Sequence, residues 1–101
     1  MTRLFSVYGD SISSFEGILP QGWRVFFEGE QLELTGVKTP HDTWWGQVID
    51  HFDGQFLANA SWSGCVVEGR DFPVGASAER IEHLQADGST PDDIFVHIGI
   101  N

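Results

Sequence analysis

Residues 92–101 read DDIFVHIGIN. After two aspartates the run is almost continuously apolar and rich in Ile, Val and Phe, the pattern of a strand buried on both faces of a parallel sheet. Parallel neighbours need crossover connections, so the segments upstream should alternate strand and helix. Residues 78–86 fit a helix with Ser77 as its N-cap, Ile81 and Leu84 as its buried edge, Gly88 at the left-handed closing position and Pro91 as a stop. Residues 55–60, QFLANA, read as a second strand entered from the Asp53-Gly54 turn and left through the polar SWSG. Ahead of it Trp45, Val48, Ile49 and Phe52 recur at helical spacing, with Asp42 or Thr43 available as cap, and this predicts an amphipathic helix whose apolar face covers the sheet.

Residues 4–8 form the first strand, a short apolar run stopped by Gly9-Asp10. Residues 11–41 are Gly-rich with no sustained helical period, which suggests a long loop or small excursion, and residues 64–76, with Pro73 and several glycines, suggest another loop. The order strand, helix, strand, helix, strand implies a parallel α/β sheet with right-handed crossovers, whose ligands sit at the carboxyl ends of the strands near the topological switch point. The residues at those ends are Asp10 and Ser11, then Ser61 to Gly64, then Asn101.

The 101 residues suffice for one small domain, and the apolar fraction of 41% supplies a core. Fifteen acidic against five basic residues give a net charge of −10, which opposes nucleic-acid binding and reads as a solvated acidic surface. Cys65 is the sole cysteine, so no internal disulfide can form, and a reducing, cytoplasmic setting is expected. No stretch is apolar over the length of a bilayer, and the N-terminus lacks a signal-peptide pattern. No His-x-x-x-His occurs and no Gly-x-Gly-x-x-Gly comes after the first strand, so neither a metal nor a nucleotide cofactor is indicated.

Alone, Gly9-Asp10-Ser11 is also a good turn in which Ser11 caps the next segment. Gly64 just after the second strand and Gly99-Ile100-Asn101 closing the third change its weight. Together these three blocks resemble the SGNH (GDSL-type) hydrolase family, in which Gly-Asp-Ser, an isolated Gly and Gly-x-Asn lie after the first, second and third strands. The longer strings YGDSISSFEG, DTWWGQVI and PDDIFVHIGIN extend the likeness over nearly the whole chain.

The resemblance implies a flavodoxin-like three-layer α/β sandwich with a parallel sheet, the SGNH hydrolase fold, of which this chain would hold the N-terminal portion. It implies a serine esterase acting on small-molecule or carbohydrate esters through an acyl-enzyme on Ser11. The backbone amides of Ser11 and Gly64 and the side chain of Asn101 would form the oxyanion hole. The family takes its base from an Asp-x-x-His after the third block, a spacing that does not occur between Met1 and Asn101. His97 reads as a satisfied core or interior-edge histidine, His51 and His83 as helix-surface residues, and His41 as the loop histidine nearest the mouth. The alternative is a truncated or binding module with the same fold that keeps the cleft without turnover, and the 101-residue chain alone is expected to be inactive. Phe15, Trp23, Phe26, Phe27, Trp44 and Trp62 either pack or form an acyl or sugar platform. With no strand covering it, the third strand should lie at the sheet edge, and the chain should dimerise through it, exchange elements with another copy or aggregate.

Overall fold

The computed structural model describes residues 2–69, 71–74 and 77–99. Its centre is β1 (Leu4–Gly9), flanked by β2 (Gln55–Asn59) and β3 (Asp93–His97) in a parallel sheet of order β2-β1-β3. Phe5 pairs with Phe56 on one side and Asp93 on the other, Val7 with Asn59 and Phe95, and Gly9 with His97. The β1–β2 register shifts between Phe5 and Ser6, where β2 carries one extra residue. Because the chain leaves β1 first to one side and then to the other, crossovers of one hand put their helices on opposite faces.

Alternation along β1 divides the core accordingly. Phe5 and Val7 join Phe15, Phe27, Trp45 and Ile49, so the first face is covered by α2 (Trp44–His51) and the segment before it. Tyr8, Ala60 and Leu84 form a smaller cluster on the other face, where α3 (Ala78–Glu82) lies. Helix α2 starts where its pattern predicts: the Thr43 hydroxyl accepts from Gly46 N at 3.0 Å, and Trp45 and Ile49 are buried. Phe52, the last of the predicted apolar series, lies beyond the helix as its C-cap and is exposed.

Three expectations are corrected. The excursion after β1 contains a helix, α1 (Glu30–Thr35), closed by Gly36 at φ 80°; it has no buried residue, which is why no apolar period announces it. In α3 the inward position belongs to Arg80 at 0% exposure, whereas Ile81 is 51% exposed, and the Ser77 hydroxyl makes no capping bond. Gly88 does not close that helix. With Asp87 at φ 50° and Gly88 at φ 76°, it forms a two-residue turn bridged by reciprocal Ala86–Ser89 hydrogen bonds, the primed-turn geometry that Asp-Gly favours.

The third strand is also not buried on both faces. Phe95 stacks on Phe5 at 5.1 Å, but Ile94 and Val96 on the α3 side are 45% and 64% exposed. The short α3 does not reach over them. β3 does lie at an edge of the sheet, as expected. Among the described residues no helix is long and apolar enough to cross a membrane.

Candidate active site

All three strands point their carboxyl ends the same way, and the order β2-β1-β3 makes β1 the switch point. The turn after β1 is a single 3₁₀ turn, Ser11–Ser13, in which the Asp10 carboxylate accepts from Ile12 N at 3.4 Å. Asp10 is 1% exposed and its Oδ2 has no partner among the described residues. The turn is fixed from below by Ser13, which is fully buried. Its hydroxyl accepts from the Trp44 indole at 3.0 Å, and its carbonyl accepts from the Trp45 indole at 3.0 Å and the Asn59 amide at 2.8 Å. Ser14 Oγ donates to the Ser11 carbonyl at 2.6 Å and accepts from Phe26 N at 2.9 Å. Gly9 is needed here for space, because a Cβ would collide with the Ser13 hydroxyl and come within 2.9 Å of the His97 carbonyl.

The segment after β2 is tied to the same strand end. Trp62 N donates to the Gly9 carbonyl at 3.2 Å, and the Cys65 thiol reaches that oxygen at 3.5 Å. Cys65 N closes a turn onto the Trp62 carbonyl at 3.2 Å, with Gly64 at its third position and φ 87°. The glycine is required by that backbone angle rather than by crowding, since an added Cβ would meet only Arg24 Nη1, at 4.0 Å.

Beneath both turns lies a residue that no sequence motif marks. Arg80 donates from Nε and Nη2 to the Ala60 carbonyl at 3.0 and 2.8 Å, from Nη2 to the Gly9 carbonyl at 2.6 Å and from Nη1 to the Pro73 carbonyl at 3.1 Å. Its guanidinium also sits 4.5 Å over the Tyr8 ring. A fully buried cation is tolerated because its donors are satisfied by carbonyl dipoles. It joins the ends of β1 and β2 to the loop before α3. Only its helical spacing from Leu84 could signal an inward position.

Ser11 is half-buried, and neither its hydroxyl nor its N–H has a hydrogen-bond partner among the described residues. The Gly64 N–H is likewise unpartnered among them. The register brings β3 to the same level, His97 opposite Gly9, and delivers Gly99 next to Val67. Asn101 lies outside the described residues.

None of the four histidines bonds to Ser11 among the described residues. His41 is turned away from the mouth: its Nδ1 meets Asp50 Oδ2 at 2.9 Å in the last turn of α2. That pair borders a cavity of about 350 Å³ that runs to Gly54 and Gln55 at the start of β2, the opposite end of the sheet. His97 is an exposed residue leaning on Trp44 at 5.6 Å rather than a core histidine. His83 packs edge-on to Trp23, and His51 is exposed beside Phe52. Of the aromatics, Phe15 and Phe27 are core, Phe26 leans on Phe27, and Trp44 is engaged by Ser13. Trp23, Trp62 and Phe72 pack against one another beside the Gly64 turn. No group of three His, Cys, Asp or Glu converges among the described residues.

Comparison with known proteins agrees with this fold. A crystal structure from Bacteroides ovatus ATCC 8483, described as that of a GDSL-like lipase, matches with a TM-score of 0.75 and 25% identity, covering 100% of this chain and 50% of that one. The chain thus spans half the length of that relative. No curated protein matches it. The profile of GDSL-like lipases and acylhydrolases matches residues 3–101, and the chain belongs to that family of hydrolases.

Proposed function

We propose that the protein is a serine ester hydrolase working through an acyl-enzyme on Ser11. The observation that carries this reading is the set of unpartnered groups at adjoining strand ends: the Ser11 hydroxyl, the Ser11 N–H and the Gly64 N–H, on turns otherwise held by hydrogen bonds. A polar group left free within such a network is available to a substrate. Ser11 Oγ attacks the ester carbonyl carbon and gives its proton to a base. The C–O bond to the alcohol then breaks as the tetrahedral oxyanion collapses, and water releases the acid from Ser11 by the same steps. The oxyanion is received by the two N–H groups and by the side chain of Asn101, the family's third donor.

Among the described residues no base stands beside Ser11. A serine hydroxyl needs one, and a histidine oriented by a carboxylate is the usual source. His41 and Asp50 make such a pair, but at the wrong end of the sheet. A second reading is a truncated or binding module that keeps the cleft without turnover, since no described histidine bonds to Ser11. A fluorophosphonate probe separates the two: covalent labelling mapped to Ser11 and lost in Ser11→Ala supports the hydrolase. A folded protein that neither takes the label nor hydrolyses p-nitrophenyl acetate is the binding module. In an active protein, Asn101→Ala should lower turnover about 100-fold, the scale for one oxyanion donor. The buried single thiol of Cys65 is consistent with a cytoplasmic setting.

A further inference from the structure

The segment containing Arg24 spans the two turns that hold Ser11 and Gly64. At one end the Arg24 carbonyl accepts from Ser63 N at 2.9 Å, next to Gly64. Two residues on, Phe26 N donates at 2.9 Å to the Ser14 hydroxyl, which itself holds the Ser11 carbonyl. The backbone of residues 24–26 is therefore pinned across the mouth. Arg24 Nη1 stands 4.0 Å from where a Gly64 Cβ would be.

The other basic residues that are described have partners. Arg3 pairs with Asp93 at 2.7 Å, Lys38 with Glu33 at 3.4 Å, and Arg80 is buried on carbonyls, while Arg70 lies outside the described residues. The Arg24 guanidinium is exposed and has neither hydrogen bond nor ion pair among the described residues. In a chain with fifteen acidic side chains, an unpaired arginine at the mouth of the site lacks the partner that its surroundings would ordinarily supply.

We propose that Arg24 is the specificity-determining cation of this site and selects esters that carry a carboxylate close to the scissile bond, such as half-esters of dicarboxylic acids. The inference rests on the reading of Ser11 given above. A planar guanidinium presents paired N–H donors that match a carboxylate and discriminate it from a neutral ester. A role on the oxyanion itself is the weaker alternative. Oxyanion donors act by being held in place before the reaction, and no described residue holds the head group of Arg24. A substrate carboxylate, in contrast, brings its own partner and needs only reach and charge.

The test uses Ser11→Ala protein, so that turnover is not required, and compares monomethyl succinate with dimethyl succinate by quenching of the Trp23 and Trp62 fluorescence and by ligand-observed NMR. The half-ester should bind about tenfold more tightly at low salt, and the advantage should shrink as ionic strength rises. It should disappear on adding Arg24→Gln and survive in part with Arg24→Lys. Equal binding of the two esters, or a preference that persists in Arg24→Gln, overturns the proposal. So does a loss of turnover in Arg24→Gln that is the same for neutral and anionic p-nitrophenyl esters. If wild-type Ser11 takes no phosphonate label while the charge preference still depends on Arg24, the hydrolase reading fails and the anion site stands. Labelling without a charge preference fails the inference alone.

Discussion

Arg80 Nη2 and the carbonyl oxygen of Gly9 are 2.6 Å apart, so a buried guanidinium holds the last residue of the central strand immediately before Asp10 and Ser11. The same head group holds Ala60, one residue past β2. Strand ends in open α/β sheets diverge with the sheet twist, and this clamp fixes the spacing of two of them from the α3 side.

Arg80→Met should therefore destabilise strongly. It strands the Ala60 carbonyl and part of the Gly9 capacity in a dry interior, at about 1–3 kcal/mol for each orphaned group. A total of about 3 kcal/mol lowers the melting temperature by roughly 10–20 °C in a domain of this size. Arg80→Lys retains charge but not the fork, and should fall in between. Thermal and urea melts check the order; an unchanged Arg80→Met midpoint would show that the clamp contributes nothing to stability.

Tyr8 makes an alkaline prediction. Its hydroxyl is buried without a partner among the described residues, and burial raises its pKa above the ordinary tyrosine value; the Arg80 cation opposes the rise and the Cys65 sulfur adds to it. A folded pKa above the unfolded one means that the contribution to stability is intact below about pH 10 and is lost as pH rises through the folded value. Tyr8 is the only tyrosine, so tyrosinate ultraviolet absorbance reports it alone. The native titration should lie above that of the urea-unfolded chain, and coincident curves would refute this.

Two glycines at the site should respond differently to alanine. Gly9→Ala forces a methyl group into Ser13 and the His97 carbonyl, an overpacking cost of about 1–3 kcal/mol. Gly64→Ala meets open space and costs only the left-handed backbone, about 1 kcal/mol. Denaturation midpoints should rank Gly9→Ala below Gly64→Ala, and the reverse order would count against both placements.

The edge strand predicts self-association. β3 has no neighbour on its outer side among the described residues, and Ile94 and Val96 are exposed on its uncovered face. We propose that a second copy of the chain adds along this edge. Light scattering at micromolar concentration should detect dimers or larger species, and Val96→Lys should reduce them. A wild-type chain that remains monomeric would exclude the edge as an interface.

The parts of the fold that are legible in the sequence obey local rules. Helix α2 is readable because Thr43 caps it and Trp45 and Ile49 repeat at its period, and β1 because an apolar run ends at a turn. The turns at Ser11 and Gly64 emerge from motif and strand order together. Helix α1 does not, since its six residues bury nothing and glycines at both ends set its limits. Hydropathy misphases α3 by assigning its inward face to Ile81, whereas the interior there consists of carbonyl oxygens that the guanidinium of Arg80 satisfies. For the same reason Arg24 is invisible in the sequence: its meaning comes from two hydrogen bonds of its segment, one from Ser63 to the Arg24 carbonyl and one from Phe26 back to Ser14.

The position of β1 between β2 and β3 has a consequence for biosynthesis. Leu4 N donates to Asp92 Oδ2 at 2.7 Å across 88 residues of chain, so the central strand is synthesised before both of its neighbours and obtains the second one late. At ordinary translation speeds of about 5–20 residues per second, the wait is roughly 4–18 s. During that interval Phe5 and Val7 can be shielded from the α2 side, yet the flank that will receive β3 stays open. Nascent chains of this protein therefore pass through a long exposed stage. Slow codons between those for Ala60 and Asp92 would prolong it, and a chaperone that binds nascent chains would have its longest hold there.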